Sequence, residues 1–277
     1  MARPGDWRKR GSQLELAPKL SRQMAALNAI TANRLESGNR VSTRGANVIF
    51  WDVDTQIDFL LPSGRLYVSG AEKIVANLHE LTIWAAAHGV PIVSSVCAHL
   101  PGDPEMQTYG PHCMAGTPGQ QKLPETLLPG RFVVPNRQVA LPDLKLFQQV
   151  IIEKQAFDVF ANTNTERALW QFGSGMRVLM YGVTTDICVA CAANALLDRG
   201  HHVELVGDAI AALDEKKAAA FVQSFISRGG KLVKTRTILR EARAAFGDYL
   251  RSQNLRSWLM PQSCAGLQFA SIIFRWS

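Results

Sequence analysis

From Ala46 to about residue 240, short apolar, β-branched runs alternate with longer segments of helical periodicity, and this alternation limits the possible folds most. ANVIFWDV, starting at Ala46, reads as a buried strand. VPIVSSVC (90–97), QVIIEK (149–154), MRVLMYGV (176–183), HHVELVGD (201–208) and KLVKTRTI (231–238) read as five more. Runs that are apolar on successive residues fit strands covered on both faces. Between them, 70–88 reads as an amphipathic helix stopped by Gly89, 186–200 as a helix closed by Gly200 and 214–230 as a helix with a glycine stop; another starts near Asn164. The fold class that follows is α/β: a doubly wound, mainly parallel six-stranded sheet with helices on both faces. Residues 98–148, punctuated by prolines, read as a long loop-rich insertion of the kind that usually carries function.

Charge divides the chain further. Residues 1–45 hold nine Lys/Arg and three Asp/Glu, so most of the net charge of +7 belongs to this stretch. It reads as a basic, partly helical arm. A basic arm of this kind binds nucleic acid in some proteins, but no aromatic residue follows Trp7 among its charges, and a solvated or subunit-docking extension is the expectation. The body is expected at 46–250 and an apolar tail at 251–277. A composition 47% hydrophobic and 19% charged excludes wholesale disorder. No apolar run reaches the roughly 18 residues of a membrane span. Five cysteines are too few for a disulfide scaffold and odd in number, so reduced thiols and a cytoplasmic setting are expected.

In open parallel sheets, ligands bind beyond the carboxyl ends of the strands. Those ends carry Asp52 and Asp54, then Cys97 and His99, then Glu153 and Lys154, then Thr184, Thr185, Asp186 and Cys188. Cys188 opens a helix, where the dipole, free N–H groups and a neighbouring lysine each favour a thiolate. A thiolate there attacks carbonyls. Cys188-Val-Ala-Cys191 is also a C-x-x-C, so a thiol–disulfide reading with Cys191 as the resolving thiol stays open.

Four segments together resemble the isochorismatase-like cysteine hydrolases, and the nicotinamidases among them most. They are Asp54-Thr-Gln-Ile-Asp-Phe59, Pro111-His-Cys-Met-Ala-Gly-Thr-Pro-Gly119, Glu153-Lys154 with Phe157 and Phe160 after it, and Gly182-Val-Thr-Thr-Asp-Ile-Cys188. The resemblance spans roughly 46–240. It implies a catalytic triad of Asp54, Lys154 and Cys188 that cleaves a small amide through an acyl-thioester. It also implies a cis peptide at Val183–Thr184 beside the oxyanion site. Phe59, Tyr109, Phe157 and Phe160 are expected to form an aromatic wall for the substrate, with the core as the other place for Phe157 and Phe160. Nicotinamidases usually hold one divalent metal; here the implied ligands are Cys97, His99 and His112, with Pro104 at the position of another histidine and zinc, iron or manganese as the ion. No organic cofactor is implied. Nicotinamide is the first substrate suggested; isochorismate, N-carbamoylsarcosine and biuret are the others. A homo-oligomer is expected, with no membrane or nucleic-acid partner.

Overall fold

The computed structural model describes residues 47–240; the basic arm (1–45) and the apolar tail (251–277) lie outside the described residues. The chain divides into two compact units after Thr235. Of the second, only 236–240 are described, and they are helical.

The first unit is built on seven strands: β1 (Val48–Val53), β2 (Ile92–Cys97), β3 (Arg131–Val134), β4 (Gln149–Lys154), β5 (Arg177–Val183), β6 (His202–Ala211) and β7 (Lys231–Val233). Their order across the sheet is β3-β4-β2-β1-β5-β6-β7, and every pairing is parallel. The helices are α1 (Ile57–Leu60), α2 (Val75–His88), α3 (Met106–Tyr109), α4 (Thr165–Trp170), α5 (Cys188–Asp198) and α6 (Glu215–Ser227).

Strand alternation sorts side chains to the two faces. Ile49, Trp51 and Val53 of β1 join Val178 and Met180 of β5 in one buried cluster with Val189, Ala192 and Leu196 of α5 and Phe225 of α6. On the opposite face, Phe50 stacks on Trp84 of α2 and meets the ring edge of Tyr181. Helices therefore cover both faces, and the central strands are apolar on consecutive residues for that reason.

The sheet has one strand more than the six expected. The extra strand, β3, lies at the edge in the proline-rich segment, where Pro129-Gly130 and Pro135 bound its four residues. The expected loop at 98–148 thus contains a strand and the turn α3. At the other edge, KLVKTRTI forms strand only over Lys231–Val233. The Thr235 N–H and hydroxyl both donate to Asp208 Oδ1, and the chain turns helical there. Three helices match their sequence signals closely. α2 follows a 3-10 turn at Ala71–Ile74 and stops at Gly89 (φ 66°). α5 ends before Gly200 (φ 76°). The Asp214 carboxylate caps α6 by accepting from the Lys216 and Lys217 N–H groups.

Candidate active site

The strand order sets β4, β2, β1 and β5 side by side, so the residues at their carboxyl ends share one rim. The chain order reverses between β2-β1 and β5, the place where such sheets open a crevice. Asp52 and Asp54 are two residues apart and would share a face in a regular strand, so the end of β1 at Val53 and the left-handed Asp54 separate them. Asp52 points to the α2 side and pairs with Lys122 (2.7 Å), whereas Asp54, just beyond the strand, turns to the rim. Asp54 adopts a left-handed conformation (φ 49°), one that aspartate tolerates better than most residues. Its Oδ1 accepts from the Ser95 hydroxyl at 2.7 Å, and its Oδ2 lies 3.0 Å from Lys154 Nζ.

Lys154 is the hub. Its Nζ lies 3.0 Å from Asp54 Oδ2, 3.1 Å from Cys97 Sγ, 3.4 Å from Cys188 Sγ and 3.1 Å from the Ala156 carbonyl. Burial opposes its charge, but Asp54, then Cys188 and Cys97, more than offset this and hold the ammonium well above the usual lysine range. The β2–β4 register places Cys97 directly opposite Lys154. Gln56 clamps Cys97 from both sides: the Cys97 N–H donates to Gln56 Oε1 at 2.8 Å, and Gln56 Nε2 donates to the Cys97 carbonyl at 2.8 Å.

Cys188 is the first residue of α5 and is 6% exposed. The Cys97 thiol beside it and burial push its thiol well up, with Lys154 opposing. The lowered thiol pKa expected at this helix start is therefore not found, because a second sulfur and the dry surroundings outweigh the ammonium. The preceding turn is held firmly. The Val183–Thr184 peptide is cis. Gly182 (φ 115°) packs so tightly on the β1 backbone that a Cβ would drive into the Val53 carbonyl. Asp186 accepts from the Leu213 and Asp214 N–H groups. Cys191 lies one turn deeper, half-buried, and makes no hydrogen bond to Lys154 among the described residues.

A narrow cleft leads to Cys188, lined by Phe59, Tyr109, Phe157, Ile187 and Thr184, with His112 and Glu105 on one wall. Tyr109 meets Phe157 edge to face at 5.9 Å, and Phe59 lies 5.4 Å from the His112 ring. Phe160, expected on this wall, lies elsewhere: it stacks against Trp51, and the Arg199 guanidinium covers its other face at 3.7 Å. The 3-10 turn Val159–Ala161 rotates Phe160 toward the core and leaves Phe157 facing the cleft.

Cys97, His99 and His112 are all buried, and one donor atom from each lies within 4.8 Å of the others. His112 Nδ1 sits 2.9 Å from the Gly110 carbonyl, which only accepts, so this nitrogen carries the proton and Nε2 keeps its lone pair. His99 Nδ1 likewise faces Asp103 Oδ2 at 3.1 Å. Burial lowers both imidazoles, which favours the neutral, ligating form. His99 Nε2 and Glu105 Oε2 are 3.5 Å apart, both buried and both without a hydrogen-bond partner. Two facing acceptors call for a proton or a cation between them, so the donor set suits a divalent ion of the zinc class. Burial raises the Glu105 carboxyl to about 7, with Lys154 opposing. Glu105 is not among the ligands implied by the resemblance, which point to its neighbour Pro104; its mark in the sequence is a carboxylate just ahead of the turn α3, six residues after His99. Asp58, also unremarked, anchors the loop above the site, accepting from the Cys113 N–H at 2.7 Å and the Arg65 N–H at 3.0 Å.

Residues 136–237 match the Isochorismatase domain family. Over these residues the chain is similar to that family. Its relatives include the nicotinamidase of Acinetobacter baylyi (strain ATCC 33305 / BD413 / ADP1), 27% identical over 206 residues, a match covering 68% of this chain and 92% of that protein. Among solved structures it resembles the pyrazinamidase of Pyrococcus horikoshii in complex with zinc (26% identity, TM-score 0.55, 68% of this chain and 99% of that one). It also resembles the N-carbamoylsarcosine amidase of Thermoplasma acidophilum (26% identity, TM-score 0.54, 68% and 96%). The fold is that of the isochorismatase-like α/β hydrolases.

Proposed function

We propose that this hydrolase cleaves a small uncharged amide, nicotinamide to nicotinate and ammonia foremost, through an acyl-thioester on Cys188. The observation that carries the reading is the contact of one buried ammonium, Lys154, with the Asp54 carboxylate at 3.0 Å and the Cys188 sulfur at 3.4 Å, at the foot of an aromatic cleft. Because its surroundings push the Cys188 thiol up, the sulfur rests protonated and needs a base when it attacks. Asp54 takes that proton and returns it to the leaving ammonia, acting as base and then acid. Lys154 stays charged throughout, steadies the developing thiolate and holds both partners in place. Backbone N–H groups at the Val183–Thr184 turn and the start of α5 receive the oxyanion. Water then hydrolyses the thioester.

A divalent ion held by Cys97, His99 and His112, with Glu105 beside them, would supply a Lewis acid for a substrate nitrogen or a water. The choice of an uncharged substrate rests on the cleft wall: among the described residues it carries Glu105 but no arginine and no lysine, and Lys154 behind it is paired. Isochorismate and N-carbamoylsarcosine both bring carboxylates that this wall leaves unmatched. The test is ammonia release from nicotinamide, pyrazinamide, biuret and N-carbamoylsarcosine, with loss of isochorismate followed in parallel. Turnover of the two uncharged aromatic amides is the expected result; turnover of N-carbamoylsarcosine or isochorismate alone overturns the substrate reading.

A further inference from the structure

Cys188 has a sulfur neighbour to which amide hydrolysis assigns no covalent step. Cys97 Sγ and Cys188 Sγ flank the same Lys154 ammonium at 3.1 and 3.4 Å, which sets the two sulfurs side by side. Cys97 is completely buried and its backbone is clamped on both sides by Gln56, so it stays beside the nucleophile. Cys188 lines the cleft, so a small oxidant arriving by the substrate's route meets it first. The same ammonium holds both sulfurs at contact distance, so the Cys97 sulfur is placed to attack Cys188 once that sulfur is oxidised.

We propose that Cys97 is a resolving thiol: a hydroperoxide oxidises Cys188, and Cys97 then closes a reversible Cys97–Cys188 disulfide that withdraws the nucleophile. In the first step Cys188 sulfur bonds to one peroxide oxygen, the O–O bond breaks, and the second oxygen leaves as water or alcohol with the thiol proton. The sulfur, now a sulfenic acid, is oxidised by two electrons and the peroxide is reduced by two. In the second step Cys97 sulfur attacks Cys188 sulfur, the S–O bond breaks, and hydroxide leaves as water with the Cys97 proton. The sum is two thiols and one hydroperoxide giving one disulfide, one water and one water or alcohol. The bridge also guards Cys188 against irreversible sulfinic and sulfonic acids. It pairs Cys188 with a residue on β2, not with Cys191, the partner that the C-x-x-C spacing suggests.

The loss of activity rests on the hydrolase reading above; the bond does not. The experiment therefore reads the bond itself. The full chain, freed of bound metal by chelation, is exposed to a small excess of hydrogen peroxide, blocked with N-ethylmaleimide and mapped by mass spectrometry without reduction. The expected result is a linked peptide pair joining Cys97 to Cys188. Amide hydrolysis should fall at least tenfold and return on treatment with dithiothreitol. Cys97→Ser and Cys97→Ala should give no link, with Cys188 carried to the sulfinic and sulfonic acids and no recovery by dithiothreitol. A Cys188–Cys191 link, or over-oxidation of Cys188 in the wild type with no link to Cys97, overturns the proposal. If the chain hydrolyses no amide, the peptide map still decides whether the bridge forms.

Discussion

Replacing Lys154 by methionine tests the buried hub more sharply than removing the nucleophile does. The lysine is 1% exposed and the Asp54 side chain is fully buried. In Lys154→Met the Asp54 carboxylate keeps the Ser95 hydroxyl at 2.7 Å but loses its only counter-charge within salt-bridge distance among the described residues. Breaking a buried ion pair by removing one partner typically costs about 3–5 kcal/mol, because the remaining charge is left uncompensated. Much of that cost vanishes when both charges go. The double variant Asp54→Asn/Lys154→Met should therefore recover about 2 kcal/mol or more relative to Lys154→Met alone. Urea unfolding of wild type, both single variants and the double variant gives the cycle directly. Activity should follow a different pattern: both single variants and the double variant should lose at least about a thousandfold in kcat, since each removes a group that acts on the reacting sulfur. If Lys154→Met unfolds within about 0.5 kcal/mol of wild type, or the double variant is no more stable than that single variant, the pair is not the uncompensated buried charge described above.

Three further outcomes follow from the same geometry. Glu105 has its carboxyl raised from 4.5 to about 7, so the native state holds this proton more tightly than the unfolded chain. Its contribution to stability is complete below the unfolded value and is lost as pH rises through about 7. That amounts to about 3 kcal/mol, and the slope should disappear in Glu105→Gln when chelator-treated proteins are compared by urea unfolding. Asp58→Ala strips the acceptor from the Cys113 and Arg65 N–H groups and should cost about 1–3 kcal/mol, with KM rising more than kcat falls as the loop bearing His112 loosens. Zinc added to chelated protein at about a hundred times its dissociation constant should stabilise the fold by about 2.7 kcal/mol, and His99→Ala and His112→Ala should each remove most of that shift in thermal melts.

Much of this architecture is legible in the chain because its buried strands are apolar on successive residues. VIFWDV and VLMYGV cannot face water on either side, and their alternation with helices requires a parallel sheet. The candidate residues Asp54, Lys154 and Cys188 could be listed from the strand ends for the same reason. What the chain hides is set by contacts distant in sequence. RFVV of β3 is a short edge strand between prolines and carries too few residues to stand out. The strand β7 stops early because Asp208, 27 residues away, receives the Thr235 donors. Asp52 and Asp54 look equivalent on paper, and only the left-handed turn at Asp54, beyond the end of β1, gives one to Lys122 and the other to Lys154. Of Phe157 and Phe160, both candidates for the cleft wall, only Phe157 reaches it, because one tight turn rotates Phe160 away. Glu105 is hidden for another reason: its carboxyl matters only because His99, just beyond β2, meets it with an unpartnered nitrogen.

The central claim is a covalent bond between an acyl group and the sulfur of Cys188, and it is open to direct observation. Wild-type protein is mixed with excess nicotinamide, quenched in acid within milliseconds and weighed intact, then digested to locate any added mass. A nicotinoyl group on the peptide bearing Cys188, absent from Cys188→Ala, is the predicted result. Ammonia released by Cys188→Ala at the wild-type rate would contradict the account.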